Sequence, residues 1–171
     1  MPPICKRTAR RQRQESVEDH CRVSASPLVA TYLATSYRVD APSGQICLRV
    51  GKRSRQFDRW LQRQNARSWA FITAYNPASR HLPRWRNQGR QRCLRNRIGA
   101  LGFVAWPGAG VGDDPTWEPE PSFLVIGIPI AEARRIARRF GQNAIVAGRT
   151  GGAPKLVWCG PRTCAGRRPS S

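Results

Sequence analysis

The sequence predicts a mixed α/β (or α+β) fold with a single mixed β-sheet and three to four helices packed on it. Three observations lead there. Apolar runs of strand length, Trp69 to Ala74 and Phe123 to Ile128, are buried-strand segments. Stretches with apolar residues at i, i+3 and i+4 alternate with them, as in layered α/β chains. A helical stretch at 130–140 separates two strand-like segments, which makes it a crossover between strands of the same direction.

The elements follow in order. Residues 1–24 are polar, Arg-rich and without apolar periodicity, and read as a disordered tail. Order begins at Ser26-Pro27, an N-cap followed by Pro at the first helical position, and a short helix carries Leu28, Tyr32 and Leu33. Tyr37, Val39 and Ala41, then Ile46, Leu48 and Val50, alternate on one face of two strands. Ala41-Pro42-Ser43-Gly44 joins them as turn chemistry, giving a hairpin. Ser54 to Asn65 is an amphipathic helix presenting Phe57, Trp60 and Leu61. The apolar Trp69–Ala74 run is a central strand, and a helix spans about Pro83 to Ala100. Phe103 to Trp106 is a short strand, and Pro107 to Pro121 is a Gly/Pro/Asp-rich loop with lid-like flexibility. Phe123 to Ile128 is a second central strand. The helix Ile130 to Phe140 carries Ile130, Ala133, Ile136, Ala137 and Phe140 on its core stripe. Ala144–Ala147 and Lys155–Trp158 close the chain as a hairpin around Thr150 to Pro154, and 160–171 reads as a loose tail. One domain, 25–159, is expected from a chain of 171 residues.

Composition excludes some functions and raises one. Hydrophobic residues make up 40%, a globular value, and no apolar run approaches the length of a membrane helix. Basic residues near the N-terminus precede no apolar h-region, so a soluble cytoplasmic protein without a membrane partner is expected. The net charge of +20 suggests a polyanionic partner, because Lys and Arg on phosphates release counterions. Of the 30 basic residues only Lys6, Lys52 and Lys155 are not arginine, a skew that a GC-rich genome produces without selection for binding. Arg84, Arg86, Arg90, Arg92, Arg95 and Arg97 share the helix after Pro83 with no acid among them. That makes Arg84, Arg86, Arg90 and Arg97 the nucleic-acid candidates.

The cysteines, Cys5, Cys21, Cys47, Cys93, Cys159 and Cys164, form no C-x-x-C pair, and His20 and His81 are the only histidines. No metal site and no cofactor are expected. Cys47 and Cys93 read as packing residues. Cys159 and Cys164 flank a Gly-Pro turn at disulfide spacing, although a cytoplasmic chain keeps such thiols reduced.

Three polar clusters end the apolar strands: Asn76 after the first central strand, Glu118, Glu120 and Ser122 before the second, and Gln142 and Asn143 before the third. Strand formation does not require amides and carboxylates there. If the strand ending at Tyr75 runs antiparallel to Phe123–Ile128, all of them fall on one edge of the sheet. The helix after Pro83 adds Asn87 and Gln91 at the end of its buried Leu94/Ile98 stripe nearest that edge, and a buried Asn87 needs partners for its amide. Each residue also has a purely structural role open to it: Asn76-Pro77 as a turn, Glu120 as an arginine's partner, Gln142 and Asn143 as a helix end. No nucleophile elbow, P-loop, dinucleotide fingerprint or H-E-x-x-H motif occurs. Gly108-Ala-Gly-Val-Gly112 runs into Asp113-Asp114, which repel phosphate. Glu120 is the candidate base if chemistry occurs, ahead of His81.

Tyr32, Tyr37-Arg-Val39, Ile72-Thr-Ala-Tyr-Asn-Pro77, Asn87, Glu120-Pro-Ser-Phe-Leu124 and Phe140-Gly-Gln-Asn-Ala144 together resemble an uncharacterised bacterial family catalogued as domain of unknown function 3293. The resemblance spans about residues 27–158 and implies a small cytoplasmic single-domain protein; it brings no established activity, cofactor or partner. Three readings stay open. The edge binds a small polar ligand through Asn76, Asn87, Glu118, Glu120, Ser122, Gln142 and Asn143; the arginine-rich helix binds nucleic acid; or the amides are structural in a protein–protein adaptor.

Overall fold

In the computed structural model, residues 27–42, 44–114 and 116–160 are described. The expected tails at 1–24 and, Gly160 apart, 160–171 lie outside the described residues. So do Ser26 of the expected N-cap, Cys5, Cys21, His20, and Cys164 beyond the Gly-Pro turn. The described residues divide between two compact units, one ending at Ala34 and the other beginning at Thr35. The first holds helix α1 (Pro27–Ala34), where Thr31 Oγ1 donates to the Pro27 carbonyl one turn back, at 3.0 Å.

The second unit is a sheet covered on both faces. Its strands are β1 (Ser36–Ala41), β2 (Gly44–Leu48), β3 (Ser68–Ile72), β4 (Ala105–Val111), β5 (Glu120–Ile126), β6 (Ala144–Arg149) and β7 (Lys155–Trp158). Its helices are α2 (Arg55–Arg63), α3 (Arg84–Ala100) and α4 (Ile130–Arg139). Strand order is β2-β1-β4-β5-β3-β6-β7, and every hydrogen-bonded pair is antiparallel. The crossover through α4 does join strands of the same direction, as its length demands. β3 lies between β5 and β6 and runs against both, so no parallel ladder forms.

Burial on both faces explains why Trp69–Ile72 of β3 and Phe123–Ile126 of β5 are apolar throughout. Ala70, Ile72, Phe123 and Val125 pack with Leu94 and Ile98 of α3 and with Ala133 and Ile136 of α4. Their neighbours Trp69, Phe71 and Leu124 point the other way, onto Phe57, Trp60 and Leu61 of α2. Each large side chain so buried contributes about 1.5–3 kcal/mol. The first hairpin pairs Tyr37 with Leu48 and Val39 with Ile46, so the alternation in sequence becomes one buried face. Helix α2 starts where Ser54 accepts from the Phe57 amide at 3.3 Å.

Two expectations need correction. Residues 107–111 belong to β4 and are not part of a loop; they lie between β1 and β5. A Cβ at Gly108 would sit 2.5 Å from the Arg38 carbonyl and 2.8 Å from the Phe71 ring, so glycine here is what lets the strands approach. Turn-like composition disguised a strand. Cys47 and Cys93 are exposed and do not pack in the core, whereas Cys159 is buried and its thiol is pushed up to about 11 by that burial. Cys47 alternates with Ile46 and Leu48, and so must face outward.

Candidate functional site

The segment leaving β3 takes an unusual path. Asn76, Ala78 and Ser79 all have left-handed backbones, with φ of 42°, 52° and 59°. None is glycine; Asn76 tolerates that region, while Ala78 and Ser79 each cost about 1–2 kcal/mol there. Such a path persists only where its surroundings over-determine it.

Side chains from three other elements supply that control. From α3, Gln91 Oε1 accepts from the Ala74 amide at 2.9 Å, and Arg90 Nε donates to the Ala74 carbonyl at 2.8 Å. Asn87 Oδ1 accepts from the Asn76 amide at 3.0 Å, while Asn87 Nδ2 donates to Asn76 Oδ1 at 2.8 Å and to the Leu82 carbonyl at 3.1 Å. Asn76 Oδ1 also accepts from the Leu82 amide, which fixes the entry into α3. From beyond α4, Gln142 Nε2 donates to the Tyr75 carbonyl at 2.7 Å, Asn143 Nδ2 to Ser79 Oγ at 3.0 Å, and the Ala78 amide to the Gly141 carbonyl at 2.7 Å. Gly141 is left-handed too, and a Cβ on it would stand 2.9 Å from Pro77 Cβ, so this contact admits no larger residue. From the start of β5, Glu120 Oε2 accepts from Asn76 Nδ2 at 3.3 Å, and the Pro121 carbonyl accepts from Thr73 Oγ1 at 2.8 Å.

The antiparallel pairing of β3 with β5 and β6 therefore brings Asn76, Asn87, Glu120 and Gln142 together. Asn143 joins them through Ser79. Ser122 is buried and turns its hydroxyl back to the Glu120 carbonyl, away from the loop. Glu118 is exposed ahead of β5 and makes no hydrogen bond to the cluster among the described residues. Asn87 spends both its polar atoms, and Gln142 its Nε2, on the protein itself, so they position the loop. Gln91 Nε2 is buried beside Ala74 without a partner.

Glu120 is the one acid in this group. Burial raises its carboxyl above the usual carboxylate value, while Asn76, Thr73 and the nearby His81 pull it down. Since the Thr73 proton is committed to Pro121, Asn76 is the donor that counts. Among the described residues no arginine pairs with Glu120; the ion pairs there are Arg49–Asp113, Arg53–Asp58 and Arg135–Glu132. His81 in turn lies against the exposed Trp117, with ring centroids 6.0 Å apart. Sequence reasoning missed Thr73, Trp117 and Gly141. A tryptophan inside a Pro/Asp-rich loop was the available signal for Trp117.

Of the arginines proposed for nucleic acid, Arg84, Arg86 and Arg97 are exposed on α3. Arg90 is half-buried and already bonded to the Ala74 and Phe140 carbonyls, so it belongs to the loop scaffold. Among the described residues, no three His, Cys, Asp or Glu side chains gather as metal ligands would. No helix there is long and apolar enough to cross a membrane.

Residues 72–145 match the family described as protein of unknown function (DUF3293), so the chain is similar to that family over this stretch. The matched stretch begins with the last residue of β3 and includes the whole left-handed loop, α3 and Glu120. It ends two residues past Asn143, leaving out Tyr32 and Tyr37. No curated protein and no solved structure matches the chain.

Proposed function

We propose that the loop Thr73–Leu82 and Glu120 bind a small polar ligand, with the Glu120 carboxyl as its anchoring group. The observation that carries this is the pairing of a desolvated carboxyl with a backbone in which Asn76, Ala78 and Ser79 are all left-handed. Strain and a perturbed carboxyl at one place are what binding and catalytic sites accumulate. Glu120 Oε2 is held by Asn76, which leaves Oε1 to accept from a ligand hydroxyl or amine. His81, close enough for its charge to act on the carboxyl, lies against Trp117 and brings an aromatic pair to that side of the site.

In this reading Asn87, Gln142, Asn143 and Ser122 position the loop, and Asn76 orients the carboxyl. With its pKa raised, Glu120 would also serve as the acid or base if the ligand is transformed. The protein then works in the cytoplasm, where Cys47 and Cys93 stay reduced. A thermal-shift screen of a metabolite library against the wild type and Glu120→Gln tests the proposal. Ligands that stabilise the wild type should leave the variant unshifted, because Gln keeps the shape but loses the charge. Equal shifts in both proteins would remove Glu120 from the site.

A further inference from the structure

Helix α3 presents two faces with opposite logic. Asn87, Gln91, Leu94 and Ile98 are buried, and its outer face carries arginine, with no acidic residue anywhere on the helix. Arg84 and Arg86 stand in the first turn, at the positive end of the helix dipole, where cations are unfavourable. Arg86 and Arg90 add a like-charge i,i+4 pair. None of the ion pairs among the described residues involves α3. The helix gains no stability from this arrangement, and an anion laid along it would relieve both costs.

The same face carries a large aromatic. Trp85 is 67% exposed, and the Arg86 guanidinium lies 5.1 Å from its ring centroid. Beside them runs a groove of about 680 Å³ lined by Trp85, Arg86, Gly89, Arg92, Cys93 and Phe140. A second groove, of about 530 Å³, follows the C-terminal half of the helix between Arg95, Asn96, Gly99 and the exposed Val104. Seventeen residues give the face a length of about 25 Å. A track of cations with an aromatic platform is the arrangement that single strands use: phosphates follow the charge, and an unpaired base stacks on the ring. A duplex has its bases already stacked and gives Trp85 nothing to do.

We propose that the outer face of α3 binds single-stranded nucleic acid, Trp85 stacking on a base and Arg86 and Arg92 holding the flanking phosphates. It uses a different set of side chains from the Glu120 site and stands whether or not that site binds a ligand.

Fluorescence anisotropy of labelled oligothymidylate and oligouridylate on the full chain, across a salt titration, tests this. Random-sequence duplex DNA and heparin serve as charge-only competitors. Trp85→Ala should weaken single-strand binding roughly tenfold while leaving the salt slope unchanged, because it removes stacking and no charge. Arg86→Gln with Arg92→Gln should lower the slope of log K against log salt by about 1.4. Arg134→Gln with Arg138→Gln on α4 is the charge-matched control, expected to change affinity far less. The proposal is overturned if no single strand binds at low salt, if Trp85→Ala is without effect, or if the α4 control loses as much as the α3 pair. Preference for the thymidylate or the uridylate strand identifies the nucleic acid, and either preference supports the proposal.

Discussion

The two ends of β3 solve the same problem in different ways. Each end must tie a turn of the chain to distant segments through polar groups. At the start of β3 the tie is a carboxylate: buried Asp58 accepts from the Gly151 amide at 2.8 Å and from Arg53 at 2.7 Å. The left-handed positions there fall on Gly127, Gly151 and Asn65, the residue types that tolerate that region best. At the far end of β3 the carboxyl of Glu120 meets an amide and, among the described residues, no arginine. The left-handed positions fall there on Asn76, Ala78 and Ser79. One end is built from inexpensive conformations and a neutralised charge. The other holds Ala78 and Ser79 in left-handed backbone beside a partly buried carboxyl, inside a dense amide scaffold.

The largest effect should come from dismantling that scaffold. Asn87→Leu keeps the heavy-atom branching but strips the Asn76 amide and the Leu82 carbonyl of their partners, and should cost about 3 kcal/mol or more at roughly 1–3 kcal/mol per unpaired group. Denaturant titration reads the loss, and hydrogen exchange should accelerate at the Asn76 amide. A loss well below 1 kcal/mol would mean that water replaces the amide and that the scaffold controls nothing. At the opposite end, Asp58→Ala should cost about 2 kcal/mol, through the buried bond to Gly151 more than through exposed Arg53, whose pairing is screened by solvent.

The backbone contrast makes a smaller, signed test. Gly127→Ala meets no atom within 4 Å yet sits at φ 76°, so it should destabilise by about 1 kcal/mol through conformation alone. Ala78→Gly, exposed at φ 52°, should do the reverse and stabilise by about 0.5–1 kcal/mol. Thermal melts of both variants giving the same sign would end the claim that the two turns differ in strain.

The pH dependence tests the Glu120 end last. Burial raises Glu120 in the folded chain, so the fold binds its proton more tightly than the unfolded chain does. Its effect on stability is therefore absent below the unfolded carboxylate value. It becomes a destabilisation as pH rises from that value through the higher folded one, and persists above. Glu120→Gln should remove this decline and match or exceed the wild type at neutral pH. Melts of both proteins from pH 4 to pH 7, the span on the order of three units around carboxylate titration, check it. A variant clearly less stable at pH 7 would show that the ionised carboxylate is a stabilising anchor.

Much of the molecule was legible in residue order. The Tyr37–Leu48 hairpin, the helices around Trp60, Leu94 and Ile136, and the two-sided burial of β3 and β5 follow from period-2 and period-3.6 patterns and from continuous apolar runs, which report local geometry directly. The placement of Asn76, Glu120 and Gln142 near one another followed from strand direction alone. Only the tertiary structure showed what each polar atom does. It gave Arg90 to the Ala74 carbonyl, left Glu120 without an arginine partner among the described residues, and turned Ala78 and Ser79 left-handed, none of which has a sequence signature. It also drew Gly108 into a strand, because the demand for glycine there comes from Arg38 and Phe71, far away in the chain. Periodicity fixes which side of an element is buried, since that depends on neighbours within a turn. Hydrogen-bond partners and close backbone approaches depend on segments that meet only after the sheet has closed.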